Sequence, residues 1–193
     1  MSTSSIDRDD ARPYHHGNLR GALLDAARAV IDDDGPAAVS LRDLARRVGV
    51  SHAAPTHHFG DKRGLMTALA TDGFGVLAGR LAEVSPDAMV DLGLAYVEVA
   101  TTRRADFAVM FRPDLLDGDD PGLRAAQEAA WDALLAGVRA LPAEARTGGD
   151  LLTARAAWSF AHGFAALWNA GAMGRDGQTA SDAARAMLQQ YFG

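Results

Sequence analysis

Between Ser40 and Gly60 the chain has room only for two short helices joined by a turn too tight to let them lie parallel. Ser40 is an N-cap residue, with Asp43 three residues on as a short capping-box partner, and Leu41, Leu44, Ala45 and Val48 recur at helical spacing. Gly49 stops this helix, because glycine tolerates the left-handed conformation just past a helix end. Ser51, two residues later, caps the next one, which is expected to run from His52 to His58, turn Phe59 inward and end at Gly60. Pro55 falls at the fourth position of that helix and forfeits only its first internal bond. This is the spacing of a helix-turn-helix.

The rest of the sequence extends the helical pattern. From Asn18 the positions Leu19, Leu23, Ala26, Ala27, Val30 and Ile31 form an amphipathic stripe that ends at Asp32, Asp33, Asp34, Gly35 and Pro36. Asp61 caps a longer helix carrying Leu65, Leu69, Phe74, Leu77 and Leu81. After Ser85 and Pro86, helices are expected over Met89 to Arg104, Asp106 to Arg112, Leu123 to Leu141, Asp150 to Ala172 and Ala180 to Phe192. The breaks lie at Pro113 to Gly122, Pro142 to Gly149 and Gly174 to Thr179. No stretch alternates as a strand would. The expected fold is all-α with about nine helices. It divides into a tail at 1–13 of disordered composition, a helix-turn-helix domain at 14–60, a linking helix at 61–82 and a second helical domain at 83–193.

Charge placement decides what the short helices can meet. The formal net charge is −6, which on its own argues against a nucleic-acid partner. Residues 1–63 are balanced, however, and residues 42–63 carry Arg42, Arg46, Arg47, Lys62 and Arg63 against Asp43 and Asp61 only. His52, His57 and His58 interleave with them, so a small basic segment rides on an acidic body. A helix that enters a DNA major groove needs small or polar side chains at base edges, flanked by phosphate donors. Ser51, His52, Ala53, Ala54, Thr56, His57 and His58 meet the first need, and Lys62, the chain's one lysine, meets the second.

These residues carry a resemblance. The run from Tyr14 to about Leu81 contains YHHGNLRGALLDAARAVIDDDG and VSLRDLARRVGVSHAAPTHHFGDKRGL, and it resembles the N-terminal part of the tetracycline-repressor (TetR) family of transcriptional regulators. Trp158, His162 and Gly163 are similar to a Trp-His-Gly feature of one C-terminal domain type in that family. The resemblance implies a homodimeric DNA-binding repressor with a C-terminal domain for ligand binding and dimerisation. It implies phosphate contacts near Ser40, Ser51, His58 and Lys62, and base contacts from the third helix. One position departs from the pattern: members commonly carry tyrosine where this chain has Thr56, which keeps a hydroxyl but loses reach.

Two further sets of residues remain open between alternatives. Trp158, His162 and Gly163, with alanines around them, suit a dimer bundle made by the 150–172 and 180–192 helices, and the same residues would serve a core within one subunit. Tyr96, Phe107, Met110, Phe111, Trp131, Phe164 and Trp168 are candidates to line a cavity for a mainly apolar ligand, though their spacing also suits an ordinary core. His15 and His16 either approach DNA from the N-terminal arm or belong to an exposed turn.

Other chemistries find little support. The chain has no cysteine, which excludes disulfides, thiolate metal sites and thiol nucleophiles. His52, His57 and His58 do not share one helical face, and the acidic stretch Asp114 to Asp120 lacks the order of a calcium loop, so no metal or other cofactor is expected. No phosphate-cradling glycine loop, HExxH or GxSxG appears, which argues against an enzyme. The polar first ten residues and the lack of ~18 successive apolar residues suggest a cytoplasmic protein that does not enter a membrane. The expected partners are therefore double-stranded DNA with a near-palindromic site, a small molecule and a second copy of the chain. A ligand-binding or partner-binding helical protein with a weakened reader is the alternative.

Overall fold

The computed structural model describes residues 18–84, 89–146, 148–174 and 177–192. The tail at 1–13, His15, His16, Ser85 and Pro86 lie outside the described residues. Within them the fold is all-α, as the periodicity predicts. The helices are α1 (Leu19–Asp34), α2 (Leu41–Val48), α3 (Ala53–Phe59), α4 (Lys62–Ala82), α5 (Met89–Thr102), α6 (Arg104–Met110), α7 (Pro121–Ala140), α8 (Asp150–Asn169) and α9 (Ala180–Phe192). Two 3₁₀ turns, Pro36–Ala38 and Ala143–Ala145, complete the described elements.

Local chemistry sets several helix ends. The Asn18 side chain accepts from Gly21 N, and Asp61 from Gly64 N at 2.9 Å, so α1 and α4 begin on side-chain caps. Gly49 closes α2 in the left-handed region at φ 74°, and Val50 N then returns to Ala45 O at 2.9 Å. The two serines behave differently from expectation. Ser40 occupies the N-cap of α2, but its side chain makes no capping bond. Ser51 lies one residue too early to cap α3, whose N-cap is His52, and contributes instead its carbonyl to Ala54 N. Pro55 is therefore the third residue of α3, where its missing N–H forfeits no internal bond at all. The 150–172 expectation overshoots as well: α8 ends at Asn169, and Gly171 follows with φ 69°.

One continuous core runs through the molecule because α4 belongs to both halves. Leu65, Met66 and Leu69 pack with Leu23, Leu24, Val30 and Leu44 of α1 and α2. Further along α4, Phe74, Leu77 and Leu81 join Tyr96, Met110, Leu134 and Leu135 of α5, α6 and α7. A smaller cluster of Leu94, Val97, Phe164, Trp168, Ala184 and Leu188 holds α5, α8 and α9 together.

A charged junction ties α1 to α6 alongside this core. Arg28 of α1 donates through Nε to Asp106 Oδ1 at 2.9 Å, and through its other nitrogens to Asp25 and to Asp72 of α4. Asp106 is fully buried, and Arg103 Nε lies 2.7 Å from its other oxygen without hydrogen-bond alignment. Burial pushes the Asp106 carboxyl above the usual carboxylate range, against the pull of Arg28 and Arg103.

Candidate functional site

The turn between α2 and α3 presents α3 outward on one face and anchors it on the other. Ser51, His52, Ala53, Thr56, His57 and His58 are exposed, Ala54 is half-buried and Pro55 is buried beneath them. Phe59 is partly buried against the core, and the Arg20 guanidinium of α1 lies 5.6 Å from its ring centre, fixing the end of α3. Arg42, Arg46 and Arg47 are exposed along α2 beside this face. Among the described residues, the sole carboxylate close to Arg46 is Asp43 at 3.4 Å, an exposed pair that holds it weakly. The candidate side chains thus share one exposed face with these arginines.

Lys62 has a task within the fold. Its Nζ donates to the Ala37 carbonyl at 2.8 Å, which pins the start of α4 to the 3₁₀ turn between α1 and α2. An ammonium has two further hydrogens to offer. Gly64, two residues on, carries no sequence signal of its own: any Cβ there would run into the Phe59 carbonyl oxygen, so α3 and α4 meet only because that position is glycine.

Beyond the reader, α4, α5, α6, α7 and α8 enclose a cavity of about 500 Å³. Five of the expected residues line it or lie in its wall: Tyr96, Met110, Phe111 and Trp131 as ligand-cavity candidates, and Trp158 from the set assigned to dimerisation. Phe74, Leu77, Leu81, Pro113, Leu116, Gln127, Glu128, Ala130 and Leu134 complete the lining. Phe164 and Trp168 do not reach it. They stack on each other at 5.7 Å in the α5–α8–α9 cluster, because they lie on the flank of α8 that faces α9. Phe107 opens instead on a second cleft of about 430 Å³ shared with His162, Arg104, Arg112 and Asn169.

Trp158 and His162, the dimerisation candidates, make contacts within the subunit. Trp158 Nε1 donates to Tyr96 Oη at 3.3 Å, and Tyr96 Oη lies 2.9 Å from His162 Nδ1, so both side chains are engaged inside the subunit. At Gly163, the third residue of that set, a Cβ would meet open space. Desolvation holds the His162 imidazole below its ordinary pKa, and burial pushes the Tyr96 hydroxyl up, countered only in part by the Trp158 N–H. A histidine that resists protonation in the fold but not in the unfolded chain contributes stability above its ordinary pKa, and that contribution is lost as pH falls through the ordinary value. Lowering the pH from 7.5 to 5.5 is therefore expected to reduce the melting temperature of the wild type more than that of His162→Gln, measured by calorimetry at fixed ionic strength. Equal losses in the two proteins would remove His162 as the source.

Comparison with known proteins decides the family. Residues 23–69 match the family described as bacterial regulatory proteins, tetR family, and residues 89–191 match the tetracyclin repressor-like C-terminal domain. The chain belongs to the TetR family. One relative, the HTH-type transcriptional regulator BetI of Rhizobium meliloti, is 36% identical over 96 residues, covering 49% of this chain and 45% of that protein. The chain thus spans less than half the length of this curated relative. A solved structure from Rhodococcus sp. RHA1, of a protein with unknown function, is 34% identical with a TM-score of 0.74, covering 94% of this chain and 97% of that one. The TetR-family regulator PfmR of Thermus thermophilus shares the fold at 22% identity, with a TM-score of 0.67 and coverage of 88% and 96%. Among the described residues, no helix is long and apolar enough to cross a membrane.

Proposed function

We propose that this chain is a sequence-specific DNA-binding transcriptional regulator, a homodimeric repressor acting in the cytoplasm and released from its operator by a small, mainly apolar ligand. The observation that carries the reading is the exposed face of α3, with Ser51, His52, Ala53, Thr56, His57 and His58 turned to solvent and arginines beside them on an otherwise acidic protein. Residues 14–60 are the reader, 61–82 the link and 83–193 the ligand-binding and dimerisation domain. Ser51, Thr56, His58 and Lys62 grip phosphates, with the non-capping hydroxyl of Ser40 available to a fifth, while Ala53, Ala54, His52 and His57 meet base edges.

Release needs a route from cavity to reader, and α6 supplies one. Its last residue, Met110, and the following Phe111 line the cavity, while Asp106 one turn earlier holds Arg28 of α1. A ligand that binds better when α6 is displaced favours dimers whose readers are no longer about 34–36 Å apart.

Binding of the purified protein to the DNA upstream of its own coding sequence, with footprinting, tests the reading. Lys62→Ala is expected to weaken binding to specific and non-specific DNA alike and to reduce the slope of log K against log salt by about 0.9, one phosphate's worth. An unchanged slope assigns Lys62 to its Ala37 contact alone. A second reading rests on Thr56, too short for the backbone contact that tyrosine makes in relatives: a ligand-binding or partner-binding protein with a weakened reader. Selection from random DNA that enriches no sequence favours it.

A further inference from the structure

We infer that the ligand of the α4–α8 cavity is a lipophilic monocation, an aromatic or alkyl ammonium, whose charge rests at the mouth beside Glu128. The inference depends on the reading that this cavity takes a ligand, and adds its charge. Three observations support it. Apart from the buried phenol of Tyr96, Glu128 is the sole ionisable residue in the lining, and it is exposed at the rim with no cation paired to it among the described residues.

The walls behind it are aromatic. Phe74, Tyr96, Phe111, Trp131 and Trp158 all line the chamber, with Trp131 and Trp158 5.8 Å apart between ring centres. The face of an aromatic ring attracts a cation most where it is desolvated, and it repels an anion. The rim adds a field of the same sign. Pro113 and Leu116 of the lining belong to the stretch 112–128, which carries five carboxylates against Arg112 and Arg124, with Arg63 of α4 donating to the Leu116 carbonyl at 3.3 Å. Arg112 and Arg124 are already engaged, with Asp114 at 2.7 Å and Asp119 at 3.5 Å, and the carboxylates still outnumber the three arginines. A negative approach to an apolar cleft concentrates cations at its entrance.

Calorimetric titration of the full-length protein with one ring system in three charge states tests this. The probes are (2-naphthylmethyl)trimethylammonium, 2-naphthylmethanol and 2-naphthylacetate. The ammonium is expected to bind at least about tenfold more tightly than the alcohol, with the acetate weakest. Glu128→Gln, at an exposed position that leaves the fold undisturbed, is expected to lower ammonium affinity about fivefold or more and to leave the alcohol within about twofold. An alcohol that matches the ammonium, or an ammonium indifferent to Glu128→Gln, overturns the charge assignment while the cavity stays a ligand site. Failure of all three probes to bind, with operator binding intact, overturns the ligand reading of the cavity and this inference with it.

Discussion

Asp106→Ala is expected to lower the stability of the fold by about 3 kcal/mol, at the lower end of the range for breaking a buried ion pair. Asp106 is fully buried, and its removal leaves Arg28 Nε and the nearby Arg103 without the carboxylate that justifies their desolvation. The cost stays at the lower end because Arg28 keeps Asp25 and Asp72, both partly in water. For a chain of this size the loss corresponds to roughly 10 °C in melting temperature. Calorimetry on the variant measures it, and a drop below about 3 °C would show the junction to be energetically idle. Arg28→Met combined with Asp106→Leu separates the pair from its packing: an apolar replacement of a buried ion pair recovers much of the loss, whereas either single change does not. In the proposed release route this junction is where α6, reached by the cavity at Met110, meets α1.

Much of this was legible in the sequence, and the parts that were not share a cause. Apolar periodicity located the helices, and Asn18, Asp61 and Gly49 set their ends because their effects are local to one turn. Ser40 takes the N-cap of α2 without a side-chain bond and Ser51 misses that of α3 by one residue, because in helices of eight and seven residues the packing of α2 and α3, rather than one hydroxyl, sets the backbone. Periodicity also tells which residues share a helix face without telling what that face meets. α8 is apolar on two flanks, so Phe164 and Trp168 could not be told from Trp158, although the first pair faces α9 and the last faces the cavity. Asp106 carried a faint signal, an acidic residue among Ala105, Val109 and Met110 on the buried side of α6, but its partner lies 78 residues away on α1. Glu128 carried none, since an exposed glutamate on a helix is ordinary until the chamber beside it is known.

The largest effect on DNA binding is expected from two leucines that touch no part of the reader. Leu152, Ala156, Ser159, Gly163 and Leu167 succeed one another on α8 at spacings of three or four and lie on its open side, with Leu152 58% and Leu167 50% exposed. Small residues between leucines let a second helix approach closely, and the neighbouring α9 ends with Tyr191 65% exposed, packed on Phe160 at 5.8 Å. Covering each half-exposed leucine in a dimer is worth about 1 kcal/mol, and twofold symmetry counts every change twice. Leu152→Asp with Leu167→Asp therefore places four carboxylates in one apolar seam and is expected to leave a folded monomer at micromolar concentration by light scattering. Operator affinity then falls by about 10²–10⁴-fold, because two readers on one rigid body bind the second half-site at high effective concentration and a lone reader does not. Val76→Asp, at an exposed apolar position on α4, is the matched control and keeps the dimer. A double variant that remains dimeric moves the interface off α8, and a monomer that binds the operator undiminished removes dimerisation from the mechanism of recognition.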